Sequence, residues 1–141
     1  MALLQDRDRQ RVQAELATLA HPVKLINFTQ ELACDYCRET EQLVRELGEL
    51  SDKLQVEVYN FQIDKEPVAK YRIDKIPAIV VEGEKDYGVR FYGIPSGYEF
   101  MSLLGAIKDA GARKTGLSDK TKAALAALAT PVHLQVYVTP T

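Results

Sequence analysis

Val23-Lys24-Leu25-Ile26-Asn27-Phe28, Cys34-Asp35-Tyr36-Cys37 and the run from Arg38 to Leu50 follow one another in the first third of the chain. The first is an almost continuous apolar run, the pattern of a strand covered on both faces. The last is helix-like, with Leu43, Val44, Leu47 and Leu50 on one side. Between them lie the only two cysteines of 141 residues. A C-x-x-C between a strand and a helix reads as a dithiol redox pair. The competing chemistry is metal or cluster binding. One C-x-x-C offers two thiolates where structural zinc takes four ligands, so that reading needs a dimer or an added ligand.

Cys34 is expected at or just before the first turn of its helix, where unpaired amide N–H groups and the dipole favour a thiolate. Cys37, one helical turn on, is placed to attack a mixed disulfide on Cys34. Asp35 puts a carboxylate beside Cys34. It should temper the fall in thiol pKa and move the couple towards the reducing end. Tyr36 reads either as a partly exposed lid on the site or as ordinary packing.

Bulk properties bound the remaining options. The length suits about one domain. Apolar content of 46% fits a globular chain. A net charge of −2 gives no basic footprint for nucleic acid or an anionic membrane. The first residues, Met1-Ala2-Leu3-Leu4-Gln5-Asp6-Arg7, lack the apolar core of a signal peptide, and no apolar run approaches a membrane span. A cytoplasmic location is the expectation. In such a reducing compartment an isolated cysteine pair is catalytic or metal-binding rather than structural.

Outward from the pair, Asp6–Ala20 reads as a helix with Val12, Leu16 and Leu19 on one face. Strands are expected over 55–63, from Ile76-Pro77 through Val81, and around Val89 and Phe91, with a short helix between the first two. The segment Tyr98–Ala110 is a helix with Gly111 as its expected C-cap, and Tyr98 and Phe100 as core or interface residues. Glu39, Glu41, Arg45, Glu46 and Glu49 read as a solvated helix face, and His21 and His133 as surface residues. Gly93 ends the last strand of this set. It either lets a substrate backbone approach closely or serves the turn.

The end of the chain repeats its beginning. Leu16-Ala17-Thr18-Leu19-Ala20-His21-Pro22-Val23-Lys24-Leu25 matches Leu125-Ala126-Ala127-Leu128-Ala129-Thr130-Pro131-Val132-His133-Leu134 at seven of ten positions, offset by 109. That period is a domain duplication, not a solenoid. The expected organisation is a redox unit over 1–112. Residues 113–141 would then be a linker, a helix from Asp119 to Ala129 and a strand over 132–139 that begin a truncated second unit. Such an orphan strand is expected to pair with a sheet edge in its own chain or in a second copy.

The motifs together carry a resemblance. Pro22-Val23-Lys24-Leu25, the C-x-x-C, Tyr71-Arg72-Ile73-Asp74-Lys75-Ile76-Pro77-Ala78 and Gly88-Val89-Arg90-Phe91-Tyr92-Gly93-Ile94-Pro95-Ser96-Gly97-Tyr98-Glu99-Phe100 resemble the tandem-thioredoxin protein disulfide oxidoreductases, also called glutaredoxin-like proteins. The resemblance implies an α/β thioredoxin-like fold. A central mixed four-stranded sheet would be flanked by helices, with an extra N-terminal helix and an orphan C-terminal helix and strand. It implies thiol–disulfide exchange on protein substrates by Cys34 and Cys37, recycling by a flavoprotein of the thioredoxin-reductase type, and no cofactor beyond the Cys34–Cys37 disulfide. It also implies a cis peptide at Ile76-Pro77 beside the cysteines. There the Ile76 backbone can pair with an extended substrate segment, with Tyr36 and Gly93 on the same surface. Thioredoxins proper carry a buried acid on the strand before the motif. The equivalent position here is Asn27, which cannot take a proton, leaving Glu31 or Glu57 as substitutes. A redox-inactive docking unit of a tandem protein is the remaining alternative.

Overall fold

The inner strand β1 (Val23–Thr29) sets the register of everything around it. The computed structural model describes residues 2–139. After helix α1 (Asp6–Leu16) and β1 come α2 (Cys37–Gly48), β2 (Leu54–Asn60), α3 (Lys65–Lys70), β3 (Ala78–Glu82), β4 (Val89–Tyr92), α4 (Tyr98–Ala112) and α5 (Asp119–Ala126). The strand order is β2-β1-β3-β4. β1 and β2 are parallel, whereas β3 runs antiparallel to both β1 and β4. The parallel pair requires a crossover, and α2 supplies it, running back over the sheet between the two strands.

Side chains alternate along β1, so its two faces feed two cores. Val23 and Leu25 join Leu16 of α1, Leu43, Val44 and Leu47 of α2, and Leu103 and Ile107 of α4. Ile26 and Phe28 face the other way, into a smaller cluster with Tyr71, Ile73 and Val80. Phe28 packs edge-on to Tyr71 at 6.0 Å between centroids.

Three expectations shift. The helical turn after Leu16 tightens, with the Leu19 N–H donating to Leu16 O and the Thr18 hydroxyl to Glu15 O, so α1 stops before Ala20. Leu19 still reaches the core. Gly111 is no cap: α4 runs on to Ala112 and closes at Arg113, which is left-handed. A Cβ at Gly111 would sit 2.6 Å from Leu19 Cδ2. The glycine is there so that α4 can approach the turn entering β1, where its carbonyl accepts the His21 N–H. Tyr98 is 82% exposed rather than core, while Phe100 packs on the main cluster.

The strand expected over 132–139 does not form, although α5 is present and capped by Ser118, whose Oγ accepts the Thr121 N–H. Extended backbone becomes a strand only against a partner, and no ladder in this sheet reaches it. Leu134, Val136, Tyr137 and Val138 lie exposed. Pro140 and Thr141, the last residues of the expected second unit, lie outside the described residues. Among the described residues, no helix is long and apolar enough to cross a membrane.

Candidate redox site

Cys34 and Cys37 are joined as a disulfide, with their Cα atoms 5.6 Å apart. The two sulfurs are not equivalent. Cys37 is 1% exposed and faces inward as the first residue of α2. Cys34 is half-buried and lines an open groove of about 570 Å³ together with Thr29, Glu31, Arg38, Val58 and Asp64. An attacking thiolate therefore reaches Cys34 and not Cys37.

Of the two placements expected for Cys34, at or just before the first turn of its helix, the structure has the second: it lies three residues before the helix. Tyr36 takes φ 64° and ψ 4°, a left-handed conformation that ends the loop and forces α2 to begin at Cys37. Ala33 is also left-handed, at φ 53°. The unpaired N–H groups of the helix start thus belong to residues 37–39. Tyr36 itself is 61% exposed beside the pair, and Asp35 is exposed too.

Sheet register gathers the other expected residues at the same end of the molecule. β1 leads out through Thr29 towards Cys34, and its Phe28 pairs with Ala78, the residue after Pro77. The Ile76–Pro77 bond is cis. Tyr92 pairs with Ala78 on the far side, and the Gly93 N–H donates to Pro77 O at 2.9 Å. Gly93 has φ 84°, and a Cβ there would meet nothing within 4 Å. The left-handed turn accounts for the glycine, and the space over it is open. Ile76 is half-buried and Pro77 buried.

The candidates for a proton acceptor separate. Asn27 is wholly buried on the α2 face of β1. Its Nδ2 donates to Ala78 O at 3.1 Å, but its Oδ1 has no partner. Glu57 pairs with Ile26 in the register and so points to the opposite face. There its carboxylate meets Lys24 Nζ at 3.0 Å and accepts from the Tyr59 hydroxyl. The Lys24 hydrogen bond holds the Glu57 carboxyl below the usual range. Glu57 serves that cluster and cannot substitute for a buried acid under the cysteines. Glu31 is exposed, in the groove with Cys34.

Two polar residues were missed by sequence reasoning. Glu46 is not solvated. It is 8% exposed and accepts the N–H groups of Leu3 at 2.8 Å and Leu4 at 3.0 Å, plus the Gln42 amide. Burial alone would raise its pKa, but these donors hold it below the usual glutamate range. Thr40, one turn after Cys37, is wholly buried with its Oγ1 unpartnered. Its place on the apolar stripe with Leu43, Val44 and Leu47 was the one available signal. Among the described residues no group of three or more His, Cys, Asp or Glu is placed to hold a metal ion.

A four-stranded mixed sheet with a C-x-x-C disulfide between β1 and α2, and a proline loop leading into the neighbouring strand, defines a thiol–disulfide oxidoreductase of thioredoxin-like fold. Residues 24–105 match the model of the thioredoxin domain, and the chain belongs to that family. A probable thioredoxin of Methanothermobacter thermautotrophicus is 36% identical over 72 residues, covering 50% of this chain and 80% of that protein. A protein disulfide oxidoreductase from Aeropyrum pernix superposes with a TM-score of 0.81 at 26% identity, over 91% of this chain. The AhpF component of the Enterococcus faecalis alkylhydroperoxide reductase does so with 0.74 at 25% identity, over 89% of this chain. The chain spans 56% and 61% of the lengths of these two structures.

Proposed function

We propose that this chain exchanges disulfides with protein substrates, with Cys34 as the nucleophile and entry sulfur and Cys37 as the resolving thiol. The single observation that carries the assignment of roles is the difference in exposure across the pair: Cys34 opens on a groove and Cys37 is 1% exposed. In the reducing direction the Cys34 thiolate attacks a substrate disulfide, and the first substrate sulfur leaves with the electron pair. Cys37 then attacks Cys34 Sγ, closing the internal disulfide and releasing the second substrate thiol. A dithiol partner, a reductase of the flavoprotein type implied by the family resemblance, returns the pair to the reduced state. A relative that is itself part of a reductase supports a partner of this kind.

Ile76, Pro77, Gly93 and Tyr36 form the substrate-binding rim in this reading. It is supported by their common sheet end and by the open space over Gly93. Asp35 modulates the couple. Residues 1–112 are the redox unit, and 113–141 a linker with the start of a second unit. That division is supported by the sequence repeat and by the likeness to a longer protein, of which this chain spans 56%. The exposed 132–138 segment pairs with no strand of the β2-β1-β3-β4 sheet and would pair with a sheet edge in a second copy. The cytoplasm is the compartment that suits a cycling dithiol.

Insulin reduction with a dithiol regenerant tests the assignment. Cys34→Ser should abolish turnover, and Cys37→Ser should accumulate a mixed disulfide on Cys34, visible by intact mass. Turnover unchanged in Cys34→Ser would overturn it in favour of a redox-inactive docking unit.

A further inference from the structure

The groove that holds Cys34 is charged, and the charge is one-sided. Its walls carry three carboxylates, Glu31, Glu41 and Asp64, and one cation, Arg38; the other lining residues are neutral. Asp35, exposed in the loop beside Cys34, adds a further acid. On the other side of β1 the proline loop differs. There Lys75 pairs with Asp74 at 3.1 Å, and Arg72 is exposed. The acids of the groove are not equivalent. Glu41 already meets Arg45 at 2.8 Å, so much of its charge is answered. Asp64 accepts the Asn60 N–H at 2.6 Å through one oxygen, which fixes the carboxylate at the end of β2 without neutralising it. The Gln30 amide donates to Leu32 O and Ala33 O and so holds the loop that carries Glu31. The Glu31, Asp64 and Arg38 side chains make no ion pair among the described residues. Acids grouped on a surface are by themselves only a solvated patch. Here the sulfur that a substrate must touch lies in the same groove, so a substrate reaches it past Glu31 and Asp64.

We propose that this groove selects substrates by charge: Glu31 and Asp64 favour segments in which Lys or Arg flanks the reacting cysteine and disfavour acidic ones. Glu31 and Asp64 are specificity-determining residues, and Arg38 opposes them. They act on encounter and docking and leave the bond exchange as it is. The Cys34 thiolate attacks the substrate disulfide, one substrate sulfur leaves with the electron pair and takes a proton, and Cys37 displaces the second as the internal disulfide closes. The protein dithiol is oxidised and the substrate disulfide reduced, whatever charge the substrate carries. Complementary charge raises the rate of association more than it deepens the complex. The selection therefore belongs to the second-order rate constant, and it weakens as salt screens the groove. Because the acids lie on the β2 side of Cys34 and not on the proline loop, only the part of the substrate that enters the groove is read.

The inference rests on Cys34 being the entry sulfur of a working exchange, and the experiment separates the two. The reduced full-length chain is mixed with disulfide-linked peptides of one sequence, carrying Lys, Gln or Glu on both sides of the cysteine. Each rate is divided by the rate of dithiothreitol with the same peptide, which removes the intrinsic reactivity of the disulfide. Failure to reduce even the Gln peptide would overturn the exchange function, and the selection with it. Wild type should reduce the Lys peptide about tenfold faster than the Glu peptide at low salt, and the ratio should shrink in high salt. Glu31→Gln and Asp64→Asn should each lower the ratio and together bring it within about twofold, while Arg38→Gln should widen it. A change in the thiolate content of Cys34 acts on both peptides alike and cancels in the ratio. Asp52→Asn removes the same charge before the far end of β2, roughly 20 Å from the groove, and should leave the ratio where it was. A wild-type ratio near unity with the Gln peptide still reduced would overturn the proposal. So would a ratio that Asp52→Asn lowers as much as Glu31→Gln does, because net charge alone would then account for it.

Discussion

The two faces of β1 bury polar groups in opposite ways. On the face away from the cysteines, Lys24 lies between Glu57 at 3.0 Å and Glu82 at 3.9 Å, Tyr59 donates to Glu57, and Tyr71 is tied to Glu82. Every charge there is answered. On the face under α2, a single neutral amide is buried with one atom unanswered. The paired face has its charges and hydroxyls answered, whereas the face under α2 carries Asn27 with its Oδ1 unanswered.

The largest effect that could break this contrast lies on the paired face. Phe28 is fully buried between Tyr59 and Tyr71, and Phe28→Ala should lose about 3–5 kcal/mol in urea unfolding while the redox equilibrium of the pair stays put. A changed equilibrium would show that the faces are not independent. Next comes Tyr71, whose phenol burial, together with Glu82, pushes up to about 12. Below pH 10 the phenol is neutral in both folded and unfolded chains. Between the two values only the unfolded chain ionises, so stability should fall by roughly 2–3 kcal/mol as pH rises from 10 to 12. Tyr71→Phe should flatten that fall, and an unaltered alkaline slope would reject it.

Glu46 tests the α2 layer. Its carboxyl is held low in the folded chain, so its contribution is present above the unfolded glutamate value and lost as pH falls through the folded one. Glu46→Gln should cost about 1–2 kcal/mol at neutral pH, and the difference should shrink as pH falls below the ordinary glutamate range. A gap that persists in acid would mean that packing, not charge, is the contribution. The smallest effect is expected at Lys24. Its ion pairs are about a third exposed, so Lys24→Met should cost no more than about 1 kcal/mol, falling further in high salt.

The sequence made the fold legible where a local pattern had only one good reading. The apolar run of β1, the cysteine spacing and Ile76-Pro77 lie within a few residues of the features they specify, and the sheet followed. Glu46 was misread because its partners are backbone amides 43 and 42 positions away, which leave no mark on the helix pattern. The start of α2 was read to within one residue, Arg38 against Cys37, but the backbone shape before it was not legible. Tyrosine has no preference for left-handed backbone, so nothing in Cys34-Asp35-Tyr36-Cys37 announced the turn at Tyr36. The 132–139 segment has the alternation of a strand, but alternation describes a face and not a partner.

That left-handed tyrosine bears on how the motif can be varied. The second position between the cysteines answers first to backbone handedness and only then to side-chain chemistry. In a library randomised at 35 and 36, glycine and asparagine at 36 would keep the loop shape, while valine, isoleucine and threonine would deform it. Potentials measured across such a library would mix two variables at position 36. At position 35, which sits in the loop without that constraint, they would report electrostatics far more cleanly.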